Sequence, residues 1–154
     1  MEAEVQGYLT EVGILRGHIR DAIRGLNDEV ANWCPLPKET NSIYAILTHL
    51  IDGDSFWVRQ VIGGEVLRRD RAAAFQASGH LSELVSRWEK AGVEMESTLG
   101  KLSRAQLGET RTVPNRPELG TITVRWCILH LISHHAIHLG HIQFTRQLWE
   151  QRLS

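Results

Sequence analysis

The sequence predicts an all-α fold, a four-helix bundle with long crossover connections, on three observations. Apolar residues recur at spacings of three and four through four long stretches, no pair of stretches alternates with the period of two that strands need, and proline- or glycine-bearing breaks separate the helices. At 154 residues and 42% hydrophobic content, the chain is long enough for one compact core and too short to expect two. Residues 1–154 are therefore expected to form a single domain.

The first helix carries Val5, Tyr8, Leu9, Val12, Leu15, Ile19, Ala22, Ile23 and Leu26 on one stripe. The break NWCPLPKETNS follows, with two prolines and an Asn-Ser pair suited to cap the next helix. The second helix is expected from about Ser42 to Ile62, with Ile43, Ile46, Leu47, Leu50, Trp57, Val58 and Val61 inward and Gly63-Gly64 as its C-terminal stop. From Glu65 to Gly79 the chain reads as a solvated connection with at most one irregular turn. Leu81, Leu84, Val85, Trp88, Ala91, Met95, Leu99 and Leu102 define the third helix. Gly108 to Gly120, with Pro114, Asn115 and Pro117, reads as a loop, and the fourth helix runs from Thr121 or Thr123 to the chain end. The long connections after the second and third helices permit crossovers.

Charge and cysteine content exclude several function classes. The net charge is -1, and the only basic cluster, Arg68 to Arg71, holds an aspartate, so nothing points to nucleic acid. No apolar run approaches a membrane span, and the N-terminus has no signal-peptide pattern, which makes the cytoplasm the expected location. Cys34 and Cys127 do not make a disulfide framework. Cys127 reads as a small buried thiol, and nothing near Cys34 in sequence would activate it.

Chemistry concentrates in HLISHHAIHLGHIQFTRQLW, where His130, His134, His138 and His141 follow one another at spacings of four, four and three. Such spacings keep side chains on one helical face. That face also carries Cys127, Leu131, Ile137, Ile142 and Leu148, so the imidazoles are expected to point inward. Buried imidazoles without partners are costly, and two of them one turn apart can hold a single transition metal. His130 and His138 are about 12 Å apart along the axis, so one ion takes only His130 with His134 or His134 with His138. A third ligand must come from another helix, and His49 in AILTHLIDGDSFW is the candidate. There is no Glu-x-x-His pair, which argues against a carboxylate-rich di-iron bundle. Where a His-Glu-x-x-His zinc protease has its glutamate, this chain has His135, so that general base is missing.

Taken together, the Asn41-Ser42-Ile43 helix start, His49-Leu50, FWVRQVIGGE, the RDR stretch with Phe75, and His134-x-x-x-His138-Leu139-Gly140-His141 resemble the DinB-like family of small metal-binding four-helix proteins. The resemblance covers nearly the whole chain. It implies a bundle in up-down-down-up order and one divalent metal held by His49, His134 and His138, zinc or nickel ahead of iron or manganese. It also implies a metal-dependent hydrolase or a transferase that uses a low-molecular-weight thiol on a small-molecule substrate. The alternative is a non-catalytic small-molecule or metal-binding stress-response protein. DinB-like proteins are often dimeric, which with the commonness of two-fold homodimers gives a dimer as the expected assembly.

Other residues are weighed against this site. The family commonly has glutamine at the position of His141, which is read as a pocket-facing proton-handling group ahead of a fourth ligand. His130 is read as a core or supporting residue, and His135, about 100° round the helix from His134, as facing a neighbour or solvent. Asp52, one turn after His49, either orients an imidazole or lies on an exposed face. Trp33, Phe56 and Trp57 either line a pocket near the metal or are plain core. His18 and His80 are expected in surface or cap roles.

Overall fold

The computed structural model describes residues 1–152. Its long helices are α1 (Ala3–Ile23), α3 (Ile43–Asp54), α5 (Leu81–Leu99) and α7 (Val124–Gln151). Three short ones, α2 (Asp28–Asn32), α4 (Arg71–Phe75) and α6 (Arg104–Leu107), sit in the connections. The expected fourth helix reached the chain end; residues 153 and 154 lie outside the described residues. Helix α3 starts where Ser42 caps it, its hydroxyl accepting from the Ala45 N–H at 3.0 Å. Thr123 does the same for α7 through Trp126 N–H at 3.1 Å.

Beyond Asp54 the second helix widens. Ser55–Ile62 is π-helical, and Gly63 N–H reaches back five residues to Val58 O at 3.0 Å before Gly64, at φ 78, ends the element. Trp57, Val58 and Val61 are buried as the periodicity predicts, and Phe56 and Ile62 are buried beside them; a 3.6-residue period carries no signal of the widening. Such widened turns gather at functional sites.

The order of the helices is legible in two apolar clusters. One unites Val5 and Val12 from the start of α1 and Val124 to Leu131 from the start of α7 with Val58 and Val61 beyond α3 and Met95 and Leu99 from the end of α5. The other unites Ile19 and Ile23 from the end of α1 and Ile142 of α7 with Ile43 to Ile51 of α3 and Leu81 to Trp88 of α5. Helices α1 and α7 therefore run one way and α3 and α5 the other, which is the up-down-down-up order. Polar contacts agree: Arg125 of α7 holds Glu4 of α1 in an ion pair at 2.6 Å, and Arg146 donates a hydrogen bond to Ala22 O at 2.8 Å.

The loop expected from Gly108 to Gly120 holds the first strand of a hairpin, and the second follows it, so the fourth helix starts at Val124. Strands β1 (Thr110–Thr112) and β2 (Thr121–Thr123) pair antiparallel with Arg111 opposite Ile122. Three residues per strand are too few for alternation to register in sequence. The hairpin feeds directly into α7, where Val124 N–H donates to Glu109 O at 3.0 Å.

Between the two apolar clusters lies a buried polar waist joining three helices directly. Arg16 of α1 donates to Asp54 of α3 at 3.0 Å, and His135 Nε2 of α7 lies 3.4 Å from the other carboxylate oxygen. Arg16 also donates to Trp88 O of α5 and lies over the Trp88 ring. His135 is 0% exposed, so of its two expected settings, a neighbour or solvent, it takes the neighbour. Its Nδ1 donates to Leu131 O at 2.9 Å, so Nε2 can face Asp54 favourably only on a protonated ring; burial opposes that charge, and Asp54 outweighs it to raise the ring above the ordinary imidazole value.

Candidate metal centre

Helix α3 presents His49 and α7 presents His134 and His138 to one point, with one ring nitrogen from each within 4.8 Å of the others. The Nε2 atoms of His49 and His134 face each other at 2.9 Å. Nitrogens sharing one tetrahedral ion at about 2.0–2.1 Å would stand roughly 3.3 Å apart, so tenths of an ångström separate this pair from a ligating one. The Nδ1 atoms of both rings are buried without a partner. Three imidazoles converging with so few hydrogen bonds between them fit a divalent ion as their common partner.

The electrostatics keep these rings neutral, as ligation requires. Burial first, then the His138 ring and the Arg69 and Arg71 guanidiniums, pushes His49 down to about 3. Burial and the rings of His138 and His49 push His134 down to about 2. His138 is pushed down to about 4, by burial and then by His141. All three fall below the ordinary imidazole value, so the unfolded chain takes up protons before the folded one does. Their contribution is intact above about pH 6.5 and is lost as pH falls from there through the lowered values of about 4, 3 and 2, at up to about 1.4 kcal/mol per pH unit for each group. We expect the denaturation free energy of metal-free protein to drop across this window, and His134→Gln to make the drop shallower. An unchanged slope in that variant would contradict the electrostatics.

Helix α7 meets α3 closely at this point because position 53 has no side chain. A Cβ on Gly53 would lie 2.9 Å from His134 Cε1 and 3.3 Å from its Nδ1. Sequence reasoning missed Gly53, since a glycine inside a helix reads as a weak point rather than as room for a ring. Gly53→Ala is expected to displace the His134 ring and weaken metal affinity at least tenfold while the helical circular dichroism is retained. Wild-type affinity in this variant would show that the ring adapts.

The other stripe residues divide. His130 stacks on Trp126 at 5.0 Å and 7° and contacts Trp57 at 4.7 Å. His141 is exposed, and its Nδ1 lies 3.3 Å from His138 Nδ1. The expectation that the whole stripe points inward needs correction. Ile137 is 58% exposed and Leu148 is also exposed, because the buried seam of α7 runs through Cys127, Leu131, His135 and Ile142 and the histidines flank it. Phe75 stacks on His49 at 4.3 Å and 26°. His80 precedes α5 and its Nδ1 bonds the Asp28 carboxylate at 2.8 Å, while the other Asp28 oxygen accepts from the Leu81 N–H at 2.8 Å.

Two cavities adjoin the histidines. One, about 530 Å³, is walled by Trp33, Leu36, Ile46, Phe144 and His141. The other, about 520 Å³, is walled by His49, His134, His130, Phe56 and Trp57, with Arg69, Arg71 and Arg116. Asp52 faces a third cleft with Arg69 and Arg87.

The family model described as Mycothiol-S-transferase matches residues 5–151. The chain belongs to this family. The DinB-like resemblance and the four-helix fold both hold. Solved structures of the same fold include YfiT from Bacillus subtilis, described as a probable metal-dependent hydrolase with an unusual four-helix bundle topology. It is 13% identical, with a TM-score of 0.76 over 96% of this chain and 89% of that one. A conserved protein from Enterococcus faecalis is 14% identical, with a TM-score of 0.74 over 96% and 97% of the two chains. A protein from Streptococcus pneumoniae is 10% identical, with a TM-score of 0.70 over 98% and 92%. No curated protein sequence matches the chain significantly. Among the described residues, no helix is long and apolar enough to cross a membrane.

Proposed function

We propose that this member of the Mycothiol-S-transferase family is a metal-dependent transferase that joins a low-molecular-weight thiol to an electrophilic small molecule. The convergence of His49, His134 and His138 carries the reading, with these three as the protein's ligands to one divalent ion, zinc or nickel ahead of iron or manganese. A divalent ion on three neutral ligands keeps its full charge, which favours a thiolate over a thiol and lowers the pKa of water to about 7.

The chain's own groups would do the rest. His141, exposed beside His138 and on the wall of the apolar cavity, takes the thiol proton and returns it to the leaving group. As the sulfur–carbon bond forms, the bond to the leaving group breaks and its electron pair receives that proton. Trp33, Ile46 and Phe144 offer an apolar wall for the electrophile and keep water from it. Hydrolysis by the same centre, with water in place of thiol, is the second reading, favoured by the printed description of YfiT.

The test is a screen of thiol-transfer, ester and amide substrates with zinc, nickel and manganese. His141→Gln should lose about 10²–10⁴-fold in rate while keeping its metal. Activity that survives chelation would exclude the ion as catalyst. Absence of any turnover, with a small ligand raising the melting temperature of the metal-loaded form alone, would favour a non-catalytic binding protein. We further place the protein in the cytoplasm as a two-fold dimer, which light scattering at the mass of a single chain would contradict.

A further inference from the structure

The cavity beside His49 and His134 has an electrostatic character that thiol transfer to an apolar electrophile does not use. Its wall carries the three guanidinium groups of Arg69, Arg71 and Arg116 and no carboxylate. Of the three, only Arg116 forms an ion pair among the described residues, with Glu118. The Arg69 guanidinium lies 4.7 Å over the Phe56 ring, offset from the adjoining cleft by Asp52. The Arg71 guanidinium lies 5.9 Å over Phe75, whose other neighbour is the His49 ring. Arginine, aromatic ring and imidazole thus stack in sequence, bringing a positive charge to the edge of the three-histidine centre.

Glu118 pairs with Arg116 and Asp52 faces Arg69 from the adjoining cleft, so among the described residues the Arg71 charge is left unbalanced, and the wall itself supplies no negative group. A neutral ligand would leave that charge uncompensated, whereas an oxyanion would balance it and match the forked donors of arginine. We propose that this cavity binds an anionic group, carboxylate or phosphate, carried by a small-molecule substrate, with Arg71 and Arg116 as its principal donors and Arg69 as support. That the anion belongs to a substrate rests on the proposed function; that the cavity binds an anion does not.

The experiment therefore uses metal-free protein at low ionic strength, titrated with succinate, dimethyl succinate and inorganic phosphate and followed by calorimetry. Saturable binding is expected for succinate, phosphate or both and absent for the uncharged ester, and the preferred anion assigns the group. The Arg71→Gln/Arg116→Gln double variant should bind at least tenfold more weakly, with Arg71→Lys between it and the wild type, and added sodium chloride should weaken the wild type. Unchanged helical circular dichroism certifies the variants. Binding of the ester as well as the acid, equal affinity in wild type and double variant, or no saturable binding of either anion would each overturn the proposal. Because no metal or thiol is present, any of these would leave the transferase reading standing, and loss of thiol chemistry would leave the anion site standing.

Discussion

His138→Ala is expected to reduce metal content from about one ion per chain to a small fraction after mild dialysis, with His49→Ala and His134→Ala doing the same. Each variant leaves two imidazoles where a catalytic ion ordinarily has three protein ligands, and two hold an ion weakly. The nearest replacement is His141, whose Nδ1 lies 3.3 Å from that of His138. It is exposed and would have to swing inward, so rescue is not expected. His130→Ala is the matched control, since its ring stacks on Trp126 rather than converging with the other three. Elemental analysis of all four variants is the measurement. Full occupancy in His138→Ala would remove the proposed ligand set.

The largest effect on stability is expected from Asp54→Ala. Asp54 is 2% exposed and lies between the Arg16 guanidinium and the His135 ring. Removing it leaves a buried guanidinium without its counter-charge, and breaking a buried pair in this way costs about 3–5 kcal/mol. Asp54→Asn keeps an oxygen to accept from Arg16 and should cost less. Chemical denaturation monitored by circular dichroism at neutral pH reads both. A loss in Asp54→Ala within about 1 kcal/mol of wild type would show that water reaches the waist and solvates Arg16.

Asp54 and His135 mark where sequence reasoning ran short. The four helices, the Ser42 cap and the Gly63-Gly64 stop were legible because periodicity and capping are local properties. The pairing of His49 with α7 could be posed from ligand chemistry, since an i, i+4 pair needs a third partner from elsewhere. Asp54 and His135 could not, because a charged side chain on a helix reads as solvated until tertiary structure supplies its partners. His135 stayed open between a neighbour and solvent for a related reason: the buried seam of α7 runs beside the histidine stripe, and a stripe rich in both histidine and leucine does not show which edge faces the core. Gly53 stayed hidden because its role is the space it leaves for a ring from another helix. The hairpin was missed because three-residue strands carry no period.

X-ray absorption spectroscopy of the zinc-loaded protein, before and after addition of a low-molecular-weight thiol, tests the central claim most directly. The account predicts three imidazole ligands and a lighter exchangeable donor at first, then one sulfur at about 2.3 Å with the three imidazoles retained. A closed shell of four protein ligands that does not change when thiol is added would contradict it.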